Sequence, residues 1–332
     1  MRGDEPCTPR GGYSSFLASD AVRSVVAGAA DARRRAMAVP ADHAVLFQPS
    51  ATAAMDVVVR NLVAARSFHF VRGAFAERFA ATAAAAGREP LRETGPWDQA
   101  PDWRAAEIPP DAELVAVTHN ETSTGGAWPL DEIAALRAAH RRPLVAVDVT
   151  SSFGALATDW RMADVWFGSV QKCLGLPAGL GYLVAGPRAL ERARALGSAR
   201  RVAPWQDLPA MAERMTTGQT FETPNVLAIA LLGRRMARWD LAAVEAATRR
   251  KAERIAAAAL PWRPYVAAPA WRSATVHCMA VDDPAAWRAR AAAAGFVLGG
   301  GYGPLAATCV RIATFPAHGE HDVDALLACL AG

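Results

Sequence analysis

Val165-Trp166-Phe167-Gly168-Ser169-Val170-Gln171-Lys172-Cys173-Leu174-Gly175-Leu176-Pro177-Ala178-Gly179-Leu180-Gly181-Tyr182-Leu183-Val184-Ala185 carries two short apolar runs, one on each side of a glycine-rich loop, with a lysine near the loop's start. Residues 165–168 and 181–185 have the length and composition of buried strands. Upstream the same texture repeats. Strands are expected at 44–47, 67–71, 114–118 and 144–148, and helices at 52–63, 75–86 and 131–141, the last preceded by Pro129. A further helix begins near Pro187. Strand–helix alternation of this kind predicts an α/β fold with a mostly parallel sheet covered on both faces, and ligands at the carboxyl ends of its strands.

Beyond about residue 223 the pattern changes to two long helical stretches, 226–239 and 241–260, and then a smaller α/β unit. Its strands are expected near 275–281 and 309–315, its helices near 284–294 and 322–330. The expected division is a large domain over 16–230 and a small C-terminal domain over 231–332, joined by the first fifteen residues. No internal repeat and no long low-complexity linker interrupts the 332 residues.

Lys172 stands out because the chain has only two lysines, Lys172 and Lys251, against thirty-four arginines. A guanidinium keeps its proton, whereas a desolvated ammonium can lose it and act as a nucleophile or proton shuttle. Lys172 is either such an amine or a surface lysine. Lys251, within Arg249-Arg250-Lys251-Ala252-Glu253-Arg254, reads as a surface lysine. The net charge of +4 is small, and no basic block is interleaved with aromatics, so no nucleic-acid partner is expected. Five cysteines, Cys7, Cys173, Cys278, Cys309 and Cys329, form no CxxC pair and no metal spacing. Reduced thiols in the cytoplasm are the simplest reading. The opening Met1-Arg2-Gly3-Asp4-Glu5-Pro6 lacks the apolar core of a signal peptide, and no apolar run is long enough for a membrane span.

Four features fall at expected strand ends. Ser50-Ala51-Thr52 lies between a strand and a helix, where small residues form either an ordinary N-cap or an anion cradle. Asp148 ends an apolar strand and either caps a turn or holds a cation, such as a protonated pyridine nitrogen. Lys172 follows 24 residues later, with Ser169 and Gln171 as neighbouring polar donors. Arg311 sits in an apolar strand, Val310-Arg311-Ile312-Ala313, where its fork meets either a structural carboxylate or that of a substrate. Phe75 is either a core aromatic or a ring that stacks on a cofactor. Taken together these describe a pyridoxal 5′-phosphate site: Ser50–Thr52 for the phosphate, Asp148 for the pyridine nitrogen, Lys172 for the aldehyde and the Cα proton, Arg311 for the substrate α-carboxylate.

With these residues on the page the chain resembles the class V aminotransferases of fold type I, in the branch with phosphoserine and alanine–glyoxylate aminotransferases. The resemblance covers roughly residues 46–318. It rests on Pro49-Ser50-Ala51-Thr52-Ala53-Ala54-Met55, Gly73-Ala74-Phe75, His119-Asn120-Glu121-Thr122-Ser123-Thr124-Gly125, Ala146-Val147-Asp148 with Ser151-Ser152, Ser169-Val170-Gln171-Lys172, Thr223-Pro224-Asn225, and Gly301-Tyr302-Gly303 with Arg311-Ile312. It implies a large domain built on a seven-stranded sheet, with a small C-terminal α/β domain. It also implies that Thr122 bonds the cofactor near its 3′-oxygen and that Gln171 contacts the phosphate. Thr223 would reach the phosphate bound in a partner subunit, which implies a homodimer acting on amino acids and 2-oxo acids.

Two departures bear on phosphoserine as the substrate. The stretch Arg10-Gly11-Gly12-Tyr13-Ser14-Ser15 lacks the family's His-Arg pair, and Glu222 stands where the family carries asparagine. Arg10 and Arg201 are the arginines that would compensate. The rival within the same fold is a lyase or desulfurase using Cys309, which would share a strand face with Arg311. Desulfurase relatives place a histidine before the lysine, where this chain has Gln171. A dehydrogenase would need a strand–GxGxxG–helix order that Gly299-Gly300-Gly301-Tyr302-Gly303 does not have.

Overall fold

The computed structural model describes residues 19–197 and 202–332. In chain order the large unit runs α1 (Asp20–Ala36), β1 (Ala44–Gln48), α2 (Ala51–Leu62), β2 (Arg66–Val71), α3 (Ala74–Ala85), β3 (Glu89–Thr94) and β4 (Leu114–Thr118). A small hairpin of β5 (Asn120–Glu121) and β6 (Gly126–Ala127) follows, then α4 (Leu130–Ala139), β7 (Leu144–Asp148), β8 (Val165–Ser169), β9 (Gly181–Ala185) and α5 (Pro187–Leu196). Helices α6 (Leu208–Met215), α7 (Val226–Met236) and α8 (Leu241–Ala257) lead to β10 (Arg263–Pro264), β11 (Val276–Ala280), α9 (Pro284–Ala293), β12 (Gly299–Gly300), β13 (Cys309–Ala313) and α10 (Glu320–Ala331).

Seven strands form the large sheet in the order β1-β9-β8-β7-β4-β2-β3. Neighbours from β8 to β3 pair in parallel, and β9 is antiparallel to both β1 and β8. Six strands therefore point one way and only β9 is reversed, because the glycine loop between β8 and β9 contains no crossover helix. Strands β4, β7, β8 and β9 are buried along their whole length, as apolar runs inside a two-faced parallel sheet should be. Each fully buried Val, Leu or Phe among them contributes about 1.5–3 kcal/mol relative to exposure. Gly181 is required at the start of β9: a Cβ there would lie 2.6 Å from the carbonyl carbon of Ser50. Replacing it by alanine would push β9 off the β1–α2 junction.

Helices α1 and α6, strand β3, the β5–β6 hairpin and the short strands β10 and β12 have no counterpart among the expected elements. Strand β3, Glu-Pro-Leu-Arg-Glu-Thr, is an edge strand with polar, largely exposed residues and no apolar run to mark it. Helix α1 packs on α7, and Val22, Val26 and Ala29 share the large core with Ile229, Leu232 and Met236. Residue 230 thus lies inside a helix whose buried side chains belong to the large core. Arg33 of α1 is fully buried, its guanidinium stacked 4.1 Å from the Tyr182 ring centroid and 5.0 Å from that of Phe153.

A separate apolar cluster includes Ile255, Met279, Trp287, Val310, Ile312, Val323 and Leu326. It is built from α8, α9 and α10 on an antiparallel sheet of order β10-β11-β13-β12. Residues 1–15, including Cys7 and the Arg10 stretch, and also Arg201, lie outside the described residues. No helix among the described residues is long and apolar enough to cross a membrane.

Candidate active site

The carboxyl ends of β2, β4, β7 and β8 converge with the start of α2, and the residues singled out above lie there. Beyond β8 the loop folds back on itself. Val170 N–H donates to Leu180 O at 3.1 Å, and Gly175 N–H to Lys172 O at 3.0 Å. Gly175 and Gly179 take positive φ, 62° and 104°, conformations that glycine adopts without a Cβ penalty. Val170, Cys173 and Leu174 are buried by this folding, and Lys172 turns the other way. Its Nζ donates to Thr122 Oγ1 at 2.8 Å and to Ser151 Oγ at 2.7 Å, and stands 4.9 Å from the Phe75 ring centroid. Thr122 and Ser151 also hydrogen-bond each other. Burial lowers the Lys172 pKa from its ordinary value, opposed first by the charge of Asp148.

Asp148 ends β7 and is buried. Its Oδ1 accepts from Thr150 N–H at 2.8 Å and from Thr150 Oγ1 at 2.5 Å. Its Oδ2 accepts no hydrogen bond from the described residues. The turn-capping reading therefore describes one oxygen and leaves the second free. Burial raises the carboxyl pKa, while the Thr150 bonds and the Lys172 charge pull it down. Such a carboxylate is short of positive charge.

Arg311 meets no carboxylate among the described residues, so the structural ion pair is not what holds it. Its Nε donates to Gly300 O at 2.7 Å and its Nη1 to Thr122 O at 3.1 Å. Its guanidinium lies 5.1 Å from the Tyr302 ring, which in turn contacts Phe75 at 5.5 Å between centroids. Two of its nitrogens are thus committed to carbonyls, and Nη2 makes no hydrogen bond among the described residues.

At the start of α2 the Ser50 hydroxyl accepts from Ala53 N–H at 3.1 Å, an N-cap, while Ala51 N–H donates to Ser169 Oγ at 2.7 Å. Ser169 ends β8, so this bond fastens the helix N-terminus to the lysine loop. Thr52 and Gln171 are exposed and make no side-chain hydrogen bonds among the described residues. Thr223 is also exposed, and lines a cavity of about 270 Å³ with Pro49, Gly179, Leu180 and Glu222. The structure therefore gathers Lys172, Asp148, Thr122, Phe75 and Arg311, links Ser50 and Ala51 to them through Ser169, and leaves Thr52, Gln171 and Thr223 unengaged.

Lys251 is not a surface lysine. It is 2% exposed and donates to Phe315 O at 2.9 Å and His318 O at 2.8 Å. Cys309 is a free thiol but is buried at 1% exposure, not the exposed, mobile cysteine a desulfurase needs. Ser151 and Glu121 stand in the motifs that carry the resemblance and Thr150 lies outside them, but nothing in the local sequence assigns any of the three a contact. Only the meeting of the loops after β4 and β7 does so.

Comparison with known proteins agrees with this geometry. The class V aminotransferase family profile matches residues 18–281. A putative phosphoserine aminotransferase from Mycolicibacterium vanbaalenii is 31% identical over 324 residues, covering 93% of this chain and 85% of the relative. A phosphoserine aminotransferase from Cytophaga hutchinsonii superimposes with a TM-score of 0.90 at 32% identity, over 95% of this chain and 90% of the other. A Thermus thermophilus aspartate aminotransferase of subgroup IV gives 0.83 at 25% identity, over 95% and 93%. The fold, the convergence of lysine, aspartate and arginine at the strand ends, and these matches over most of the chain agree: this protein belongs to the class V aminotransferases.

Proposed function

We propose that the protein carries an amino group from an amino acid to a 2-oxo acid with pyridoxal 5′-phosphate as its cofactor, in the manner of the relatives named phosphoserine aminotransferase. The observation that carries this reading is Lys172: a desolvated amine, held only by two hydroxyls, beside an aromatic ring and a buried carboxylate with one unpartnered oxygen.

The residues fit the cofactor. Asp148 Oδ2 is an open acceptor for a ring N–H, and a cation there would supply the positive charge that the carboxylate lacks. Phe75 offers a ring face, and the start of α2 offers the Thr52 N–H for a phosphate, the Ala51, Ala53 and Ala54 N–H groups being bonded to Ser169 and Ser50. Bound there, pyridoxal phosphate supplies an aldehyde that condenses with amines and a cationic ring that withdraws electrons from the substrate Cα. The remaining work falls to the chain. Lys172 Nζ removes and returns the proton at Cα, which its depressed pKa favours. Thr122 and Ser151 hold that amine and would bond neighbouring oxygens. Arg311 Nη2 receives the α-carboxylate, and Ser50, Ala51, Thr52 and Gln171 serve the phosphate. The large domain carries the cofactor and the small one brings Arg311.

An acidic side chain on the amino donor has a partner available. Arg78 on α3 makes no ion pair among the described residues and lies 5.1 Å from the Phe75 ring. This favours phosphoserine over alanine as the donor, despite Glu222, whose exposed side chain faces the cavity beside Thr223. A homodimer is supported by the exposed Trp205 (46%) and Leu227 (71%) near Thr223, which would serve the partner's phosphate site. The reaction is assigned to the cytoplasm, where reduced thiols persist. The test is spectroscopic. The purified protein should absorb in the visible, and phosphoserine should bleach that band at lower concentration than alanine or aspartate. A colourless protein that takes up no cofactor refutes the reading. Bleaching by alanine alone moves it to the alanine–glyoxylate type.

A further inference from the structure

Helix α3 has no cap of its own. Its N-cap is Gly73, which has no side chain to accept from the first-turn N–H groups. Those donors are satisfied from another element. Ala74 N–H donates to Ser123 Oγ at 3.0 Å. Phe75 N–H and Ala76 N–H donate to Glu121 Oε2 at 3.2 and 3.0 Å. The other oxygen, Glu121 Oε1, accepts from Ser123 N–H at 3.1 Å and Ser123 Oγ at 2.5 Å. Glu121 is 4% exposed. All four of its partners donate, an arrangement that favours the carboxylate, whose pKa burial raises and these bonds pull down. Gly73 makes this possible: a Cβ there would stand 2.3 Å from Glu121 Cγ and 2.5 Å from Ser123 Oγ.

The same three residues reach the rest of the site. Between Glu121 and Ser123 lies Thr122, whose hydroxyl accepts from Lys172 and whose carbonyl accepts from Arg311. A buried carboxylate thus couples the backbone of Phe75 to the strand segment that seats the amine and the arginine. We infer that Glu121 is a positioning residue, one that fixes the Phe75 ring over the Lys172 amine and keeps that ring in register with Arg311. It touches no reacting atom and acts through Phe75 and Thr122. The inference rests on the proposed cofactor chemistry, because a ring that must lie flat against a bound heterocycle gives the constraint its purpose.

The experiment is a double-mutant cycle of Glu121→Gln and Phe75→Ala on the cofactor-loaded protein, followed by kcat and by circular dichroism in the cofactor's visible band. Glutamine keeps the shape but turns an NH2 toward backbone donors. Glu121→Gln alone should lower kcat by about ten- to a hundredfold, the scale of a lost charge-assisted hydrogen bond. It should also change the visible dichroism, which reports the handedness of the cofactor's surroundings. In the Phe75→Ala background the same substitution should change kcat by no more than about twofold, because coupled neighbours are not additive. A purely structural Glu121 would lower the melting temperature and leave the dichroism and kcat of the folded protein unchanged; that result overturns the inference, as does full additivity in the cycle. If Glu121→Gln does not fold, Ser123→Ala in the same cycle decides by the same criteria with a smaller effect. A wild-type protein that takes up no cofactor would instead refute the proposed function, so the two failures are distinguishable.

Discussion

Lys172 and Lys251 are both withdrawn from water and both lie against the junction of large and small units, yet their surroundings differ in kind. Lys251 donates to two backbone carbonyls, Phe315 O and His318 O. A carbonyl only accepts, so this amine is a clasp that closes the 315–318 turn onto α8. Lys172 donates to two hydroxyls, Thr122 Oγ1 and Ser151 Oγ, which can turn and donate in their own right. It also lies near Asp148, while no carboxylate among the described residues hydrogen-bonds either amine. Burial lowers the pKa of both. Burial alone therefore does not make a lysine reactive. The exchangeable partners and the neighbouring carboxylate with an open oxygen distinguish Lys172.

The comparison breaks most sharply under substitution. Lys172→Ala should abolish amino transfer, a loss of at least about a thousandfold for a covalent and proton-transferring group, with the urea midpoint close to wild type. Lys251→Ala should do the reverse. It takes a charged donor away from Phe315 O and His318 O, the first of which still accepts from His318 N–H, and should reduce stability by about 1.5–3 kcal/mol in urea titrations, while the folded fraction keeps its cofactor band. Two variants with the same phenotype would erase the distinction. Asp148→Asn comes next. Asp148 is the first of the groups that raise the Lys172 pKa. Removing its charge should push that pKa further below the ordinary 10.5 in the cofactor-free protein, so Lys172 becomes nucleophilic at lower pH. Competitive acetylation followed across pH measures this, and an unchanged or higher pKa contradicts the account. The same variant should lose catalytic rate by orders of magnitude, because the ring nitrogen loses its partner. Ser151→Ala should have the smallest effect. One of two hydroxyl contacts disappears, and kcat should fall about fivefold, the scale of a single hydrogen bond of ~1 kcal/mol, with little change in cofactor affinity.

The central strands β4, β7, β8 and β9 were legible because strands buried on both faces are uninterrupted apolar runs. The site residues at their ends, Asp148 and Lys172, could be located from those runs, and Ser50 from the strand–helix junction. Strand β3 was hidden because an edge strand carries the charges of a surface. Helix α1 is arginine-rich, and its Arg33 is buried against the Tyr182 ring, which no helical periodicity announces. Lys251 looked exposed because its sequence neighbours are charged, whereas its burial is set by carbonyls 64 and 67 residues downstream. Arg311 was read as needing a carboxylate, and the structure supplies carbonyls from Gly300 and Thr122 instead. For Lys251 and Arg311 distant backbone carbonyls decided the outcome, and for Arg33 a distant ring did.

The most direct test of the assignment is to reduce the cofactor-loaded protein with borohydride, digest it, and map the phosphopyridoxyl mass. The account predicts the added mass on the peptide containing Lys172 and none on the peptide containing Lys251. A label on Lys251, or on no lysine at all, would contradict it.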